Sequence, residues 1–394
     1  MQYQFPRITH IDQVRAVIKD SPEFIVAERE NYNVINYMVS MADTFPEVTD
    51  VNAAIRRECR GLVFDKQGYV IARRLHKFFN VNEKDETQLS KIDLDQPHVI
   101  LEKLDGSMVT PIPIGDYLRW GTKMGITDVA MNAEEFVAAH AQYEEFAWLC
   151  VERGQTPIFE WCSRKNRIVV DYPEDRLVLI AVRYNETGEY VSYQQLLTYA
   201  EAYNLDVVKA YVGSVESMTR LVEETRAAEG AEGWVVRFDT GHMIKVKAEW
   251  YLRLHKTKEN LNQEKNVIQM LVDETIDDAK AFMLEEDRKR VDKFQEDFWF
   301  GLTKTAMEIT GQLIKFRSLT GGDRKRFALE HAPSLQPHVR SIIFANWDKQ
   351  GNVSTSVSES LINTVRANLG SQPKVDGVRY LWKNAKWSYL DQVE

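Results

Sequence analysis

Two stretches of this 394-residue chain carry the pattern Lys-x-Asp-Gly: EKLDGS over residues 102–107 and PKVDG over residues 373–377. A lysine ahead of an Asp-Gly turn is a candidate nucleophile. With an ordinary pKa of about 10.4, however, it is neutral in only roughly 0.04% of molecules at pH 7. It therefore needs a desolvated or cationic surrounding before it can attack anything. Lys103 follows an apolar run, HVILEKL, that reads as a strand and can hold the amine at the floor of a pocket. Lys374 follows a proline 20 residues before the last residue given, with little chain left to build a pocket.

Pocket chemistry also needs partners. In HMIKVKAEWY, Lys245 and Lys247 alternate along a strand and so share a face. That pair suits charge developing on phosphorus, although two lysines at this spacing are also what the wet face of a strand looks like. Glu160 in IFEWC and Glu232 opening EGWVVRF are carboxylates beside strands. Each can hold a ribose hydroxyl or a hydrated divalent metal, or be a half-buried strand-end glutamate. Arg60, Lys77 and Lys123 add cations at strand edges. The eight histidines form no HExxH and no Ser/Asp set, which argues against a zinc hydrolase or a serine triad.

The elements that must position these residues are legible up to about residue 255. GLVFD, YVIARRL, HVILEKL, YLRWGTK, PIFEWC, RIVVDY, RLVLIAVRY, GWVVRF and HMIKVK read as strands between turn signals. Helical patterns over residues 127–154 and 191–205 interrupt them. The fold class is α+β, with mostly antiparallel sheets and flanking helices over residues 1–255. After Tyr251 apolar residues recur at three-to-four spacing for about fifty residues without proline, predicting an all-α domain over residues 256–394.

Charge follows the same division. Lys+Arg number 29 against 39 Asp+Glu up to His255, a net of −10, and 21 against 20 beyond it, a net of +1. In the second half KFRSLTGGDRKRF and RYLWKNAKW mix cations with aromatics, which suits phosphates and stacked bases of single-stranded RNA. A solvated helix face with buried aromatics would read the same. Cys59, Cys150 and Cys162 fit no CxxC spacing and are expected to be reduced thiols. No secretory leader or long uncharged apolar run is visible, so a cytoplasmic protein without a membrane span is expected.

Taken in order, ECRG, HKFFNVNE, KLDGS, FEW with NRIV, NETGEY, EGWVV and IKVKAEWY resemble the lysine-dependent nucleotidyltransferases, and more closely the RNA ligase 1 family of tailed bacteriophages, over residues 58–258. The resemblance implies a nucleotidyltransferase domain in which Lys103 takes AMP from ATP. AMP then passes to a 5′-phosphorylated RNA end, and a 3′-hydroxyl displaces it. It implies that Lys245 and Lys247 contact the α-phosphate, that Glu160 binds ribose and that Glu232 holds a divalent metal, Mg²⁺ with Mn²⁺ able to substitute. Asp105 and Gly106 would shape the turn beside the lysine and, with Glu102, bind the nucleotide; Arg60, Lys77, Phe79 and Lys123 would handle phosphates or RNA ends. Lys374 would be a coincidence. Leu179, Val182 and Trp234 are candidates for the residue stacking on adenine. The implied partner is RNA, including tRNA nicked in its anticodon loop, in the cytoplasm of an infected bacterial host. The competing readings are a DNA ligase or capping enzyme, disfavoured because a helical pattern replaces their OB barrel, and a catalytically silent RNA-binding protein, disfavoured because no charged motif residue is missing. A structural role in the phage particle is a further reading that the sequence leaves open.

Overall fold

The computed structural model describes residues 5–389 other than 42, 214, 216, 281, 282 and 284, and all but the side chain of Asn166. The chain divides into two compact units, Met1–Leu252 and Arg253–Glu394, against a boundary at residue 255 expected from sequence.

Twelve strands build the first unit: β1 (Phe24–Glu28), β2 (Asn33–Tyr37), β3 (Arg60–Phe64), β4 (Val70–Ala72), β5 (Phe79–Asn80), β6 (His98–Lys103), β7 (Ser107–Ile114), β8 (Tyr117–Gly121), β9 (Gln155–Cys162), β10 (Arg176–Tyr184), β11 (Gly233–Phe238) and β12 (Met243–Lys247). They form three four-stranded sheets with orders β1-β2-β3-β4, β10-β9-β7-β8 and β5-β12-β11-β6. Every strand pairing among the described residues is antiparallel except β5 with β12.

Period-two alternation gives the third sheet its two faces. Ile100, Val236, Ile244 and Val246 bury one face against the helix Met218–Ala227. The other face carries Leu101, Lys103, Val235, Lys245 and Lys247, which line a cavity. The β10-β9-β7-β8 sheet packs Phe159, Trp161, Leu177, Leu179 and Val182 against the helices Asp128–Ala138, Ala141–Glu152 and Tyr193–Tyr203.

One strand expected from sequence is absent. RIVVDY, residues 167–172, follows the 3₁₀ turn Arg164–Asn166 and runs through bends at 168–170. Its Val169 and Val170 amides donate to the Asp105 carboxylate, both at 2.7 Å, instead of to a neighbouring strand. Glu58 of the ECRG string is a structural residue. It is buried between Arg73 and Arg183, accepting from Arg183 at 2.7 Å on both oxygens and from Arg73 Nε at 3.1 Å. Burial would raise its pKa, but Arg183 and Arg73 outweigh that and hold the carboxyl at about 2.

The second unit is helical, centred on the 35-residue helix Glu285–Leu319, whose Phe294, Phe298, Leu302, Ile309 and Leu313 face a core shared with Ile343, Val357, Leu361 and Trp382. Here the aromatic and basic clusters find their explanation. Phe327, Trp382 and Trp387 are buried, and Arg317 donates to the carbonyls of Asn346, Trp347 and Lys349 at the end of a neighbouring helix. Arg379 is paired with Glu264 and Asp376. The rings expected to stack on RNA bases therefore stabilise the fold. Lys374 is exposed on the helix Gln372–Val378, so the second Lys-x-Asp-Gly is neither strand nor turn.

Candidate active site

Lys103 ends β6, and the register across the sheet reads Lys103–Gly233–Lys247. One rung along the same face comes Leu101–Val235–Lys245. Lysines 103, 245 and 247 thus share one face because β11 lies between their strands and each departs at an even interval. Gly233 makes the close rung possible: its φ is +141°, and a Cβ there would lie 2.0 Å from the carbonyl oxygen of Val246. The preceding Glu232, 4% exposed, bridges both cations, with Oε2 2.7 Å from Lys103 Nζ and Oε1 2.9 Å from Lys247 Nζ.

The turn after Lys103 is fixed from three sides. Asp105 is buried; besides Val169 and Val170 it accepts from the Tyr251 hydroxyl at 2.7 Å, and its own amide donates to Tyr172 at 2.9 Å. Gly106 donates its amide to Glu160 Oε1 at 3.1 Å, and a Cβ at Gly106 would stand 2.3 Å from the Trp161 carbonyl oxygen. Asp105 therefore acts on the nucleophile through the turn and does not line the cavity, contrary to a nucleotide-contacting place for it. Glu102 borders the cavity, but it is paired with Trp234, and strand alternation puts the two on the face opposite Lys103.

The cavity measures about 670 Å³, within the range of small-molecule sites. One side is cationic: Arg60, Lys77, Lys103, Lys123, Lys245 and Lys247 all line it. Burial, and then Arg60, Lys77 and Lys103, push the Lys245 amine down to about 7. Glu160 moves the other way: burial and the neighbouring Glu232 outweigh Lys103 and raise it to about 7. Near neutrality the floor of the cavity thus holds one amine and one carboxyl each close to half-titration, a pattern found at functional sites.

Tyr37 is a residue that sequence reading missed. Lys77 Nζ lies 4.9 Å and Lys123 Nζ 5.1 Å from its ring centre. Burial raises its phenol, but Arg60, Lys77 and Lys123 together leave it below the usual value. It arrives on β2, which belongs to another sheet, and no motif marked it. Lys77 is also held over Phe45 and Phe79, at 5.3 and 5.4 Å.

The aromatic pair HKFFN requires a correction. Phe79 is 1% exposed and packs in the core with Phe45 and Phe64, out of reach of an RNA end. Its neighbour Phe78 lines the cavity, with Lys245 Nζ 5.2 Å from its ring. The adenine candidates are corrected as well. Leu179 and Val182 are buried against helices, and Trp234 packs edge-on against Tyr211 at 5.1 Å. A register shift between Leu179 and Ala181 turns Ile180 and Ala181 into the cavity instead, beside Val208, Leu104 and Ile168. Apolar side chains thus line the same cavity as the lysines.

A family model described as RNA ligase matches residues 58–261, or 204 of the 394 residues. A protein of Thermovibrio ammonificans named as a candidate RNA ligase is 28% identical over 310 residues, 74% of this chain and 78% of that protein. RNA ligase 1 of bacteriophage TS2126 is 27% identical over 270 residues, 65% of this chain and 66% of that protein. A solved structure of an RNA ligase from Naegleria gruberi, with ATP and manganese, aligns at 15% identity and a TM-score of 0.35; this chain spans about half of it, 52%, with 41% of its own length.

Proposed function

The chain belongs to the RNA ligase family, and from that premise we propose that it seals RNA ends with ATP through AMP carried covalently on Lys103. The observation that carries this reading is the cavity itself: one turn-fixed lysine faces two others and a buried glutamate, beside apolar side chains and a bank of cations.

In the first step the Lys103 nitrogen forms a bond to the α-phosphorus of ATP and the bond to the bridging oxygen breaks, releasing pyrophosphate. Lys103 must lose a proton, which leaves to solvent or with the departing pyrophosphate, and Glu232, 2.7 Å away, orients the amine. Lys245 and Lys247 stand where negative charge accumulates on the α-phosphate; Arg60, Lys77 and Lys123 provide positive charge for the outer phosphates. Ile180, Val208 and Leu104 take the flat base, and the half-protonated Glu160 exchanges hydrogen bonds with ribose hydroxyls. In the second step the 5′-phosphate oxygen of an RNA end attacks the same phosphorus and the bond to Lys103 breaks. In the third, a 3′-hydroxyl oxygen attacks that 5′-phosphorus and AMP leaves.

Among the described residues no cluster of three or more metal-ligating side chains exists. The donors present still fit a magnesium ion, which takes one or two carboxylates and fills its remaining positions with phosphate oxygens and water. Glu232 would be the protein ligand, with Mn²⁺ an accepted substitute. The bound ion would neutralise phosphate charge that otherwise opposes an approaching amine. The proposal extends to tRNA broken in the anticodon loop as substrate, in the cytoplasm of an infected bacterial cell, a reading supported by the phage relative.

The test is incubation with α-labelled ATP and Mg²⁺ followed by denaturing electrophoresis, with labelled GTP in parallel. A band from ATP that survives Lys374→Ala and vanishes in Lys103→Ala is expected. Label from GTP would move the reading to capping chemistry, and a band retained in Lys103→Ala would remove the nucleophile assigned here.

A further inference from the structure

We propose that Arg237 reads the base of the nucleotide: its guanidinium stands at the end of the cavity away from Lys103 and donates a hydrogen bond to a ring nitrogen of adenine. The inference deepens the reading of the cavity as an ATP site and rests on it.

Strand geometry sets the place. On the cavity face of β11 Gly233, Val235 and Arg237 follow one another, opposite Lys247, Lys245 and Met243 of β12 and Lys103, Leu101 and Val99 of β6. Three rungs thus run from the lysines to the arginine, and four residues of strand put Gly233 and Arg237 roughly 13 Å apart. That span is comparable with the reach of a nucleotide from its α-phosphorus to the far edge of a purine. Apolar side chains accompany the arginine there. Met243 is its cross-strand neighbour, and Val208 is tied to this end by Tyr193, whose hydroxyl donates to the Val208 carbonyl at 2.9 Å and whose phenol senses the Arg237 charge.

The guanidinium lacks an acceptor. The described residues include five buried arginines, and four are compensated: Arg57 by Glu86, Arg73 and Arg183 by Glu58, and Arg74 by the carbonyls of Gly61 and Gly121. Arg237 is 6% exposed, yet among the described residues it enters no ion pair and its Nη1 has no hydrogen-bond partner. The Tyr190 and Tyr193 hydroxyls are engaged with His76 and Val208. Burial lowers the pKa of Arg237, and Tyr190, the exposed Asp239 and Tyr193 offset that only in part. A buried charge without an acceptor is costly, and a ligand that brings one recovers the cost.

The chemistry of that ligand follows from the surroundings. A guanidinium is planar and only donates. Arg60, Lys77 and Lys103 bear on Lys245, whereas the charges bearing on Arg237 are two phenols and Asp239. Phosphates are therefore drawn to the lysine end. A group with apolar faces for Ile180, Val208 and Met243 and an acceptor in its plane is a purine.

The test measures nucleotide affinity in full-length Lys103→Ala, where no transfer intervenes, using ATP and its 1-deaza, 3-deaza and 7-deaza analogues, with and without Arg237→Met. One analogue should bind about ten- to a hundredfold more weakly than ATP; Arg237→Met should weaken ATP by the same factor and that analogue no further. Without nucleotide, Arg237→Met should keep or raise the melting temperature, because it removes a buried charge that has no acceptor. Equal losses for all three analogues, or a lower melting temperature with unchanged ATP affinity, would overturn the proposal. So would an Arg237→Met variant that weakens inorganic triphosphate as much as ATP, since the guanidinium would then hold phosphate. Failure of ATP to bind, or to label Lys103 in the parent, would remove the ATP site and this proposal together. Normal labelling without the coupling would remove Arg237 alone.

Discussion

If Lys245 must be charged to receive a polyphosphate, the site should bind ATP more weakly as pH rises, over a range where an ordinary lysine is indifferent. The folded-state value is lowered, from 10.5 to about 7, by burial and by Arg60, Lys77 and Lys103. The free enzyme therefore has Lys245 charged below pH 7 and loses that charge above it, and charged Lys245 is recovered only by taking up a proton on binding. The apparent Kd then scales with 1 + 10^(pH−7), which gives factors of about 2, 11 and 101 at pH 7, 8 and 9. Affinity should fall about fivefold from pH 7 to 8 and about ninefold more to pH 9. At pH 8 some 9% of molecules carry the charge beforehand, so binding should take up about 0.9 proton at this residue. Calorimetry in two buffers of different ionisation enthalpy measures that uptake, with the α,β-methylene analogue of ATP used so that transfer to Lys103 cannot intervene. Glu160 titrates near the same pH, so the relevant quantity is the difference between the parent and Lys245→Gln. A difference below about 0.3 proton, or an affinity flat from pH 7 to 9, would refute the reasoning.

Three other perturbations separate architecture from chemistry. Glu58→Gln leaves Arg73 and Arg183 buried without their anion and should destabilise the first unit by about 3–5 kcal/mol in urea unfolding, with the long helix of the second unit unaffected. In the parent protein Glu58 is held at about 2, so its contribution is complete above its ordinary value of 4.5 and is lost as pH falls from there toward 2; equal unfolding midpoints at pH 6 and pH 3 would contradict this. Gly106→Ala drives a methyl group into the Trp161 carbonyl and should cost about 1–3 kcal/mol of stability while lowering Lys103 adenylylation at least tenfold; an unimpaired rate would mean the turn does not position the lysine. Phe79→Ala should destabilise the fold by about 3–5 kcal/mol, whereas Phe78→Ala should leave the melting temperature nearly unchanged and reduce adenylylation. The reverse pattern would restore Phe79 to the site.

The sequence made some parts of this site legible because their physics is local. Lys103 could be singled out because a strand ran into it and a glycine turn followed, and Lys245 and Lys247 because alternation on one strand guarantees a shared face. The abrupt change of periodicity after Tyr251 likewise announced the helical unit. What stayed hidden depends on contacts distant in sequence or on one-residue phase. Tyr37 comes from a different sheet, and nothing within its own strand marks it. Phe78 and Phe79 differ by one step at the start of a two-residue strand, too short for a pattern to say which ring faces the cavity. Ile180 reaches the cavity through a register shift that the alternation of RLVLIAVRY does not foretell. In KFRSLTGGDRKRF and RYLWKNAKW, cations beside rings read equally well as a nucleic-acid surface and as helix ends capped over a core, and packing decides for the core.

The clasp of Glu232 around Lys103 also has a bearing on what the enzyme does when no nucleotide is present. The side chain that must later donate an electron pair is held in an ion pair with a buried carboxylate oxygen 2.7 Å away and is only 22% exposed, so its tip is screened from other electrophiles. Acyl phosphates, thioesters and aldehydes of the cell, which modify exposed amines indiscriminately, would find this one chemically quiet. The same carboxylate that prepares the amine for its substrate thereby preserves it between turnovers, so selectivity begins before any substrate is recognised.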